Sequence, residues 1–395
     1  MPDVMKGLFC SGDWDPKPGL ELTEYEKTTG KTRRGNMIWR NCKLEYRKDI
    51  PVVQPGPDDV LLKVKGVGIC GTDVAFTDLD SDGYMEFPGH CRMNIVLGHE
   101  FCGEVIEAGA NVTNVKVGDY VASETMGWCG TCDPCRAGYH NQCLHLDEVG
   151  ITQNGGMAEY CTVPAKWVYN MNGIVEKYGK GDDAWVRGAM VEPICVAFNS
   201  IIDKAGGIRI GTTSLVFGAG AIGLMSVAIL KVAGSSKIIC VETKESRRQA
   251  ALKMGADVVY NPIELAEKGI SMHDVIMKET NGKGIDNVVE ASGLPHIVLP
   301  GVISAMGIYS QIIQIGISRE SAQFNYTPLQ MKGCKLSFCI GSSAHNSYND
   351  AINLQASGLI DVMPAIGGIY DIDDYERAFE EAKQGTSAKV MFVYR

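Results

Sequence analysis

Polar and apolar positions follow two different rhythms along this chain of 395 residues. In the first third, apolar residues come in short extended runs such as Val60-Leu61-Leu62-Lys63-Val64-Lys65, alternating or rich in β-branched side chains. Proline and glycine break these runs, as in Pro55-Gly56-Pro57, and the pattern predicts a mostly β domain. From about residue 198 the rhythm changes. Thr212–Phe217 predicts a buried strand, Ala221–Val232 a helix and Lys237–Val241 the next strand. A helix over Glu245–Met254 and strands at Asp257–Tyr260, Asp286–Glu290 and Gln311–Ile315 continue the series. Alternation of this kind means an α/β unit with a parallel, doubly wound sheet. Beyond about residue 340 the pattern loosens to one helix near Tyr375–Lys383 and a last strand, Ala388–Tyr394. Gly19–Cys42 is polar and holds Lys27, Lys31, Arg33 and Arg34. It is expected to be a solvated surface loop, the alternative being a cover over a substrate or a neighbouring subunit.

The length exceeds one comfortable core and predicts two domains. The longest apolar run, within Leu224–Ala233, is interrupted by Ser226 and Lys231. That falls short of the roughly 20 apolar residues that span a bilayer, so no membrane association is expected. The first residues, Met1-Pro2-Asp3, do not open a basic-then-apolar signal peptide, and a cytoplasmic location follows as the expectation. The formal net charge is −10, from 37 basic and 47 acidic residues, which argues against a nucleic-acid partner. In a reducing compartment the 14 cysteines are not a disulfide framework, so their arrangement carries the information.

Gly218-Ala219-Gly220-Ala221-Ile222-Gly223 fits the G-x-G-x-x-G fingerprint, follows an apolar strand and opens a helix. Gly218 permits the tight turn, Gly220 lets the backbone approach a pyrophosphate, and Gly223 allows close packing of helix on strand. A diphosphate then meets the free N–H groups of the helix N-terminus. Glu242, ending the second strand, is placed to accept hydrogen bonds from ribose hydroxyls, and its charge would repel a 2′-phosphate, favouring NAD over NADP. Arg247 and Arg248 lie close by and would soften that preference. The plainer alternative is a glycine-rich turn that binds no dinucleotide.

Cys129, Cys132, Cys135 and Cys143 have the spacing C-x2-C-x2-C-x7-C. Four thiolates on one short loop make a closed tetrahedral site suited to a structural Zn²⁺, with an iron–sulfur cluster or a free-standing zinc finger as rivals. His140 and His145 flank the lobe and are expected to be bystanders. Elsewhere, Cys70 follows a strand in Gly68-Ile69-Cys70-Gly71-Thr72-Asp73, His99 and Glu100 stand in Gly98-His99-Glu100, and Glu192 stands in Val191-Glu192-Pro193. A thiolate, an imidazole and a carboxylate with one open position make a catalytic zinc site. Each fragment alone also suits an inert buried thiol or a structural His-Glu pair.

Taken in order, these motifs resemble the medium-chain zinc alcohol dehydrogenase family from about Val52 to Arg395. Within it they are most similar to the polyol, threonine and cyclitol (inosose) branch, because Glu192 stands where other members carry a cysteine. The resemblance implies a GroES-like β catalytic domain over residues 1–197 with the zinc lobe at 129–143. It further implies a Rossmann NAD-binding domain over 198–338 and a return segment, 339–395, completing the first domain. It implies two zinc ions per chain, with Cys70, His99 and either Glu100 or Glu192 on the catalytic one. Thr72 would take the substrate proton, and Ile222, Glu242 and Arg247 would touch NAD. Gly316 is expected beside the nicotinamide and Lys389 near the pyrophosphate and ribose. The chain departs from the family at Ala75, where relatives often carry a proton-relaying histidine; His90 is a substitute or a structural surface residue. The implied activity is hydride transfer to NAD from a secondary alcohol of a cyclitol or inosose, in a homodimer or homotetramer. Sorbitol-type polyols and L-threonine are alternatives, as is a catalytically silent NAD-binding protein.

Overall fold

The computed structural model describes residues 2–318, 320–342 and 346–395. The first half supplies strands β1 (Val4–Trp14), β2 (Trp39–Pro51), β3 (Asp59–Ile69), β4 (Ile95–Val96), β5 (Glu100–Ala108), β6 (Tyr120–Ser123), β7 (Met126–Gly127), β8 (Asp147–Glu148), β9 (Tyr160–Pro164) and β10 (Val168–Asn170). Next come the parallel strands β11 (Thr213–Phe217), β12 (Lys237–Val241), β13 (Val258–Tyr260), β14 (Ile285–Glu290), β15 (Met306–Gln314) and β16 (Lys335–Phe338). The last two are β17 (Ile366–Tyr370) and β18 (Lys389–Val393).

β3 organises the first domain. Its Asp59–Lys63 half pairs with β9, its Gly66–Ile69 half pairs with β18, and β5 runs along its other edge. The full sheet order is β10-β6-β5-β3-β18-β17, while β2-β1-β4 form a separate three-stranded sheet. The chain therefore brings Lys389, Ile69 and Glu100 to neighbouring strands at one end of one sheet.

The second domain has the sheet order β13-β12-β11-β14-β15-β16, all parallel. The order reverses between β11 and β14, and that crevice is where such sheets bind ligands. The central strands β11, β12 and β14 are almost wholly buried because helices cover both faces, which is why they read as plain apolar runs. The helix Ala221–Val232 begins directly after the glycine turn at the tip of β11. β15 starts at Met306 rather than near Gln311. Its first half carries the exposed Ile308 and Tyr309, with Tyr309 at φ 53°, and a register irregularity there disguises the strand in the sequence.

Asp182–Lys204 forms one long apolar helical stretch, 83% of whose most apolar window is buried inside the protein. It is the core element between the domains: Ile194, Cys195 and Ile201 share a cluster with Leu224 and Met225 of the second domain. The polar segment Gly19–Cys42 is not a loop. It holds a helix, Glu24–Thr29, closed by a Thr23–Glu26 capping box, and a short helical turn, Gly35–Ile38. Glu26 is buried and accepts from Thr32 Oγ1 at 2.7 Å and from Arg34 Nε at 3.1 Å. Burial opposes its ionisation, but Arg34, the Thr23 N–H and Thr32 hold its carboxyl down at about 2.

Candidate active site

Cys70, His99 and Glu100 come together: one ligand atom from each lies within 4.8 Å of the others. Cys70 directly follows β3 and caps the helix Gly71–Thr77, its N–H donating to Asp73 Oδ2 at 2.8 Å. Glu100 opens β5 beside it, and His99 immediately precedes that strand. Gly68 makes this possible, because a Cβ there would lie 2.3 Å from Glu100 Oε2. His99 and Glu100 are buried, whereas Cys70 is partly exposed, so the cluster has one open side.

Charge is concentrated here. His99 Nδ1 and Asp73 Oδ1 are both buried without a hydrogen-bond partner and stand 3.7 Å apart. Burial works against the imidazolium, but the charges of Asp73, Cys70 and Glu100 push His99 well above its ordinary value. Glu192 is buried close by; burial, then the charge of Glu100, push it up to about 7. Lys389 is buried beside this cluster, its ammonium on Glu100 Oε1 and Oε2 at 2.7 and 2.6 Å and on Ile69 O at 3.1 Å. A cation bonded this way balances a carboxylate that would otherwise sit uncompensated in a dry site. The donor set of thiolate, imidazole and carboxylate, with the ring's Nδ1 turned toward the buried Asp73 carboxylate, fits a divalent metal such as zinc.

The four-cysteine lobe fits a second ion more closely. Its sulfurs all lie within 4.8 Å of one another, with Cys129–Cys135 at 4.0 Å and Cys132–Cys143 at 3.8 Å. A tetrahedron with zinc–sulfur bonds of about 2.3 Å has edges of about 3.8 Å. Backbone N–H groups of Thr131 and Cys132 point at Cys129 Sγ, both at 3.4 Å, and with the Thr131 hydroxyl they hold that thiol down at about 5. Such donors stabilise thiolates in a metal site. His140 instead stacks on Trp128, ring centroids 4.3 Å apart.

At the crevice, Gly218 adopts φ 85° and Gly220 begins the helix. Glu242 is buried at the tip of β12 and accepts from Ala219 N at 2.8 Å and Lys244 N at 2.9 Å. Those bonds keep it ionised against the pull of burial. Arg247 lies beside Gly220 and donates to Ser387 O at 3.1 and 2.9 Å, while Arg248 is spent on the carbonyls of Glu242 and Thr243. Ile222 is half-buried on the first turn of the helix. Gly316, past β15, donates its N–H to Glu290 O at 2.8 Å. Glu290, which no sequence motif marks, is fully buried and ties Ser292 and Gln314 to this loop pair. Asp73 stands in the same motif as Cys70, three residues on, and its place there is its only signal in the sequence. Thr72 follows Cys70 on its helix, and Ala75, one turn on, offers no titratable group.

Two family models match the chain, one described as alcohol dehydrogenase GroES-like domain over residues 56–173 and the other as zinc-binding dehydrogenase over 221–357. The chain is 34% identical to scyllo-inosose 3-dehydrogenase of Thermotoga maritima, covering 90% of this chain and 91% of that one. It is 32% identical to L-threonine 3-dehydrogenase of Bacillus velezensis, covering 88% and 94%. A solved structure from Thermotoga maritima, provisionally named an alcohol dehydrogenase, superposes with a TM-score of 0.92 at 32% identity, covering 99% and 100%.

Proposed function

The chain belongs to the medium-chain zinc alcohol dehydrogenase family, and we propose that it oxidises a secondary alcohol of a polyhydroxylated ring, a cyclitol or inosose, with NAD⁺. The observation that carries this is the convergence of Cys70, His99 and Glu100 within 4.8 Å, open on the Cys70 side. Cys70, His99 and Glu100 would hold the catalytic zinc, with Glu192 beside them as the exchanging carboxylate. Cys129, Cys132, Cys135 and Cys143 would hold the structural one. When bound, the metal supplies the Lewis acidity that acidifies a hydroxyl, and the dinucleotide accepts the hydride.

The remaining work falls to the protein's own side chains. Thr72 takes the hydroxyl proton through a hydrogen bond. With alanine at position 75, the helix offers no titratable side chain one turn past Thr72, and the proton passes from Thr72 to water. Lys389 keeps Glu100 charged and fixed, and the Gly218–Gly223 turn offers its N–H groups to the diphosphate. Glu242 engages the adenosine ribose hydroxyls and disfavours a 2′-phosphate, which supports NAD over NADP. A carboxylate-rich, buried metal surround suits a polar substrate better than an aliphatic one, and the similarity to scyllo-inosose 3-dehydrogenase leans the same way.

The test is parallel oxidation of scyllo-inosose, myo-inositol, sorbitol and L-threonine with NAD⁺ and NADP⁺, alongside metal analysis. Turnover of a ring substrate with NAD⁺ and two zinc ions per chain is expected. Absence of activity on every hydroxylated ring would refute the substrate assignment, and preference for NADP⁺ would refute the role of Glu242.

A further inference from the structure

Away from the metal ligands, three side chains from separate segments form a hydrogen-bonded line. Tyr25 lies on the inserted helix Glu24–Thr29, His90 in the stretch before β4, and Glu148 on β8. The Tyr25 hydroxyl is 2.8 Å from His90 Nε2, and His90 Nδ1 is 2.5 Å from Glu148 Oε2. An ionised carboxylate can only accept, so in the neutral ring Nδ1 carries the proton and Nε2 accepts from the phenol. The phenol proton is thereby committed inward, and toward any further donor the oxygen can act only as an acceptor. Such a chain polarises its members and strengthens that oxygen as an acceptor. The His90 and Glu148 side chains are only 8% and 11% exposed, whereas Tyr25 is half-buried. Burial, Asp147 and Glu148 raise the phenol above its ordinary value against Arg33 and the Thr29 bond, so it stays protonated.

The line is anchored to the segments that carry the candidate ligands. Glu148 pairs with Met126 across β7 and β8. The residue before Met126, Thr125, donates its hydroxyl to His99 O at 2.8 Å. Two residues past Glu148, Gly150 presses on the His99 backbone so tightly that a Cβ would lie 2.8 Å from His99 N. Three residues before His90, Phe87 meets Phe76 edge-on at 5.0 Å, and Phe76 lies on the helix that follows Cys70 and contains Thr72. The inserted helix is tied to the same stretch through the Thr32–Cys91 bridge.

We propose that Tyr25 is a substrate-recognition residue. Its oxygen accepts a hydrogen bond from a second hydroxyl of the substrate, and His90 and Glu148 are positioning residues that aim it. The inference rests on the polyhydroxylated-substrate assignment above and names the group that enforces it. A site built to bond a hydroxyl discriminates against an analogue that lacks one, because the polar atom is then left unpaired.

The experiment compares wild type with Tyr25→Phe, His90→Gln and Glu148→Gln on myo-inositol and on cyclohexanol, a ring with a single hydroxyl. For Tyr25→Phe, kcat/KM on the hydroxylated ring is expected to fall about 10-fold. The loss should appear as a raised KM with kcat nearly unchanged, as expected when uniform binding is removed. Cyclohexanol should stay within about 2-fold, and His90→Gln and Glu148→Gln should show the same KM-selective pattern. Equal losses on both rings, or no loss on either, overturn the proposal. Melting temperature and zinc content check each variant's fold, and Tyr25→Phe, which removes one oxygen from a half-exposed ring, decides the matter. If wild type oxidises no ring but does oxidise a linear polyol or threonine, the cyclitol assignment alone fails. The same split is then required between that substrate and its mono-alcohol. Turnover of mono-alcohols only overturns both.

Discussion

Replacing Gly223 with alanine asks whether the nucleotide turn is set by contact distance. A Cβ at Gly223 would lie 1.9 Å from the Gly218 carbonyl oxygen and 2.8 Å from its carbon. Ordinary contact begins at 3.4 Å, so the helix and the turn must part by about 1.5 Å. The Gly218 side has little room to give, since its own Cβ position is 3.0 Å from the Ser292 backbone. Overpacking of this kind costs roughly 1–3 kcal/mol. For a domain of this size that lowers Tm by roughly 2–4 °C per kcal/mol. The same displacement draws the helix N-terminus away from the diphosphate, and a misplacement of about 1 Å is worth about 100-fold in rate. Gly220→Ala is the control. The atom nearest its Cβ is Arg247 Nη1 at 3.8 Å, so it should melt as wild type does yet bind NADH weakly, its methyl standing where the diphosphate approaches. Thermal melts and fluorescence titration with NADH measure both quantities. A Gly223→Ala protein with wild-type Tm and wild-type affinity would refute the reasoning, as would a Gly220→Ala protein that melts below it.

In metal-stripped protein, Lys389→Met leaves the Glu100 carboxylate buried without a cation, and breaking such a pair costs about 3–5 kcal/mol. Urea denaturation should show that loss, Lys389→Met/Glu100→Gln should recover most of it, and a loss under about 1 kcal/mol would contradict the pairing. Glu26→Gln should lower Tm at pH 7. The carboxyl sits near 2 in the folded protein against an ordinary 4.5, so its stabilisation is present above pH 4.5 and is lost as pH falls toward 2. The gap in Tm between Glu26→Gln and wild type should therefore close over that range; a gap independent of pH would refute it.

The doubly wound half was legible because its strands are covered on both faces and need no partner information to be recognised. The expected helix Ala221–Val232 agrees residue for residue with the observed one. The failures share a cause. Gly19–Cys42 is composed like a solvated loop, and its order depends on a buried contact between Glu26 and Arg34, which charge counting treats as two exposed residues. Likewise the Cys70, His99 and Glu100 motifs could be seen singly, but which glutamate stands with the other two is a matter of sheet register. Lys389 lies 289 residues from Glu100, and no local pattern announces that the two share a site. Tyr25, His90 and Glu148 met through the folding of the insertion, on which periodicity is silent.

The pairing of β18 with β3 has a consequence for biosynthesis. The ammonium that neutralises Glu100 also closes on the carbonyl of Ile69, 320 residues earlier. At about 5–20 residues per second, a ribosome needs roughly 16–64 s to cover that distance. Until then the nascent catalytic unit exposes the open edge of β3 and carries an uncompensated acidic site, while the Rossmann strands, all contained in the interval, can assemble. A chain that folds as it is made would complete the β11–β16 sheet before β18 closes on β3, and the Gly66–Ile69 edge of β3 is the surface that holdase chaperones would need to shield.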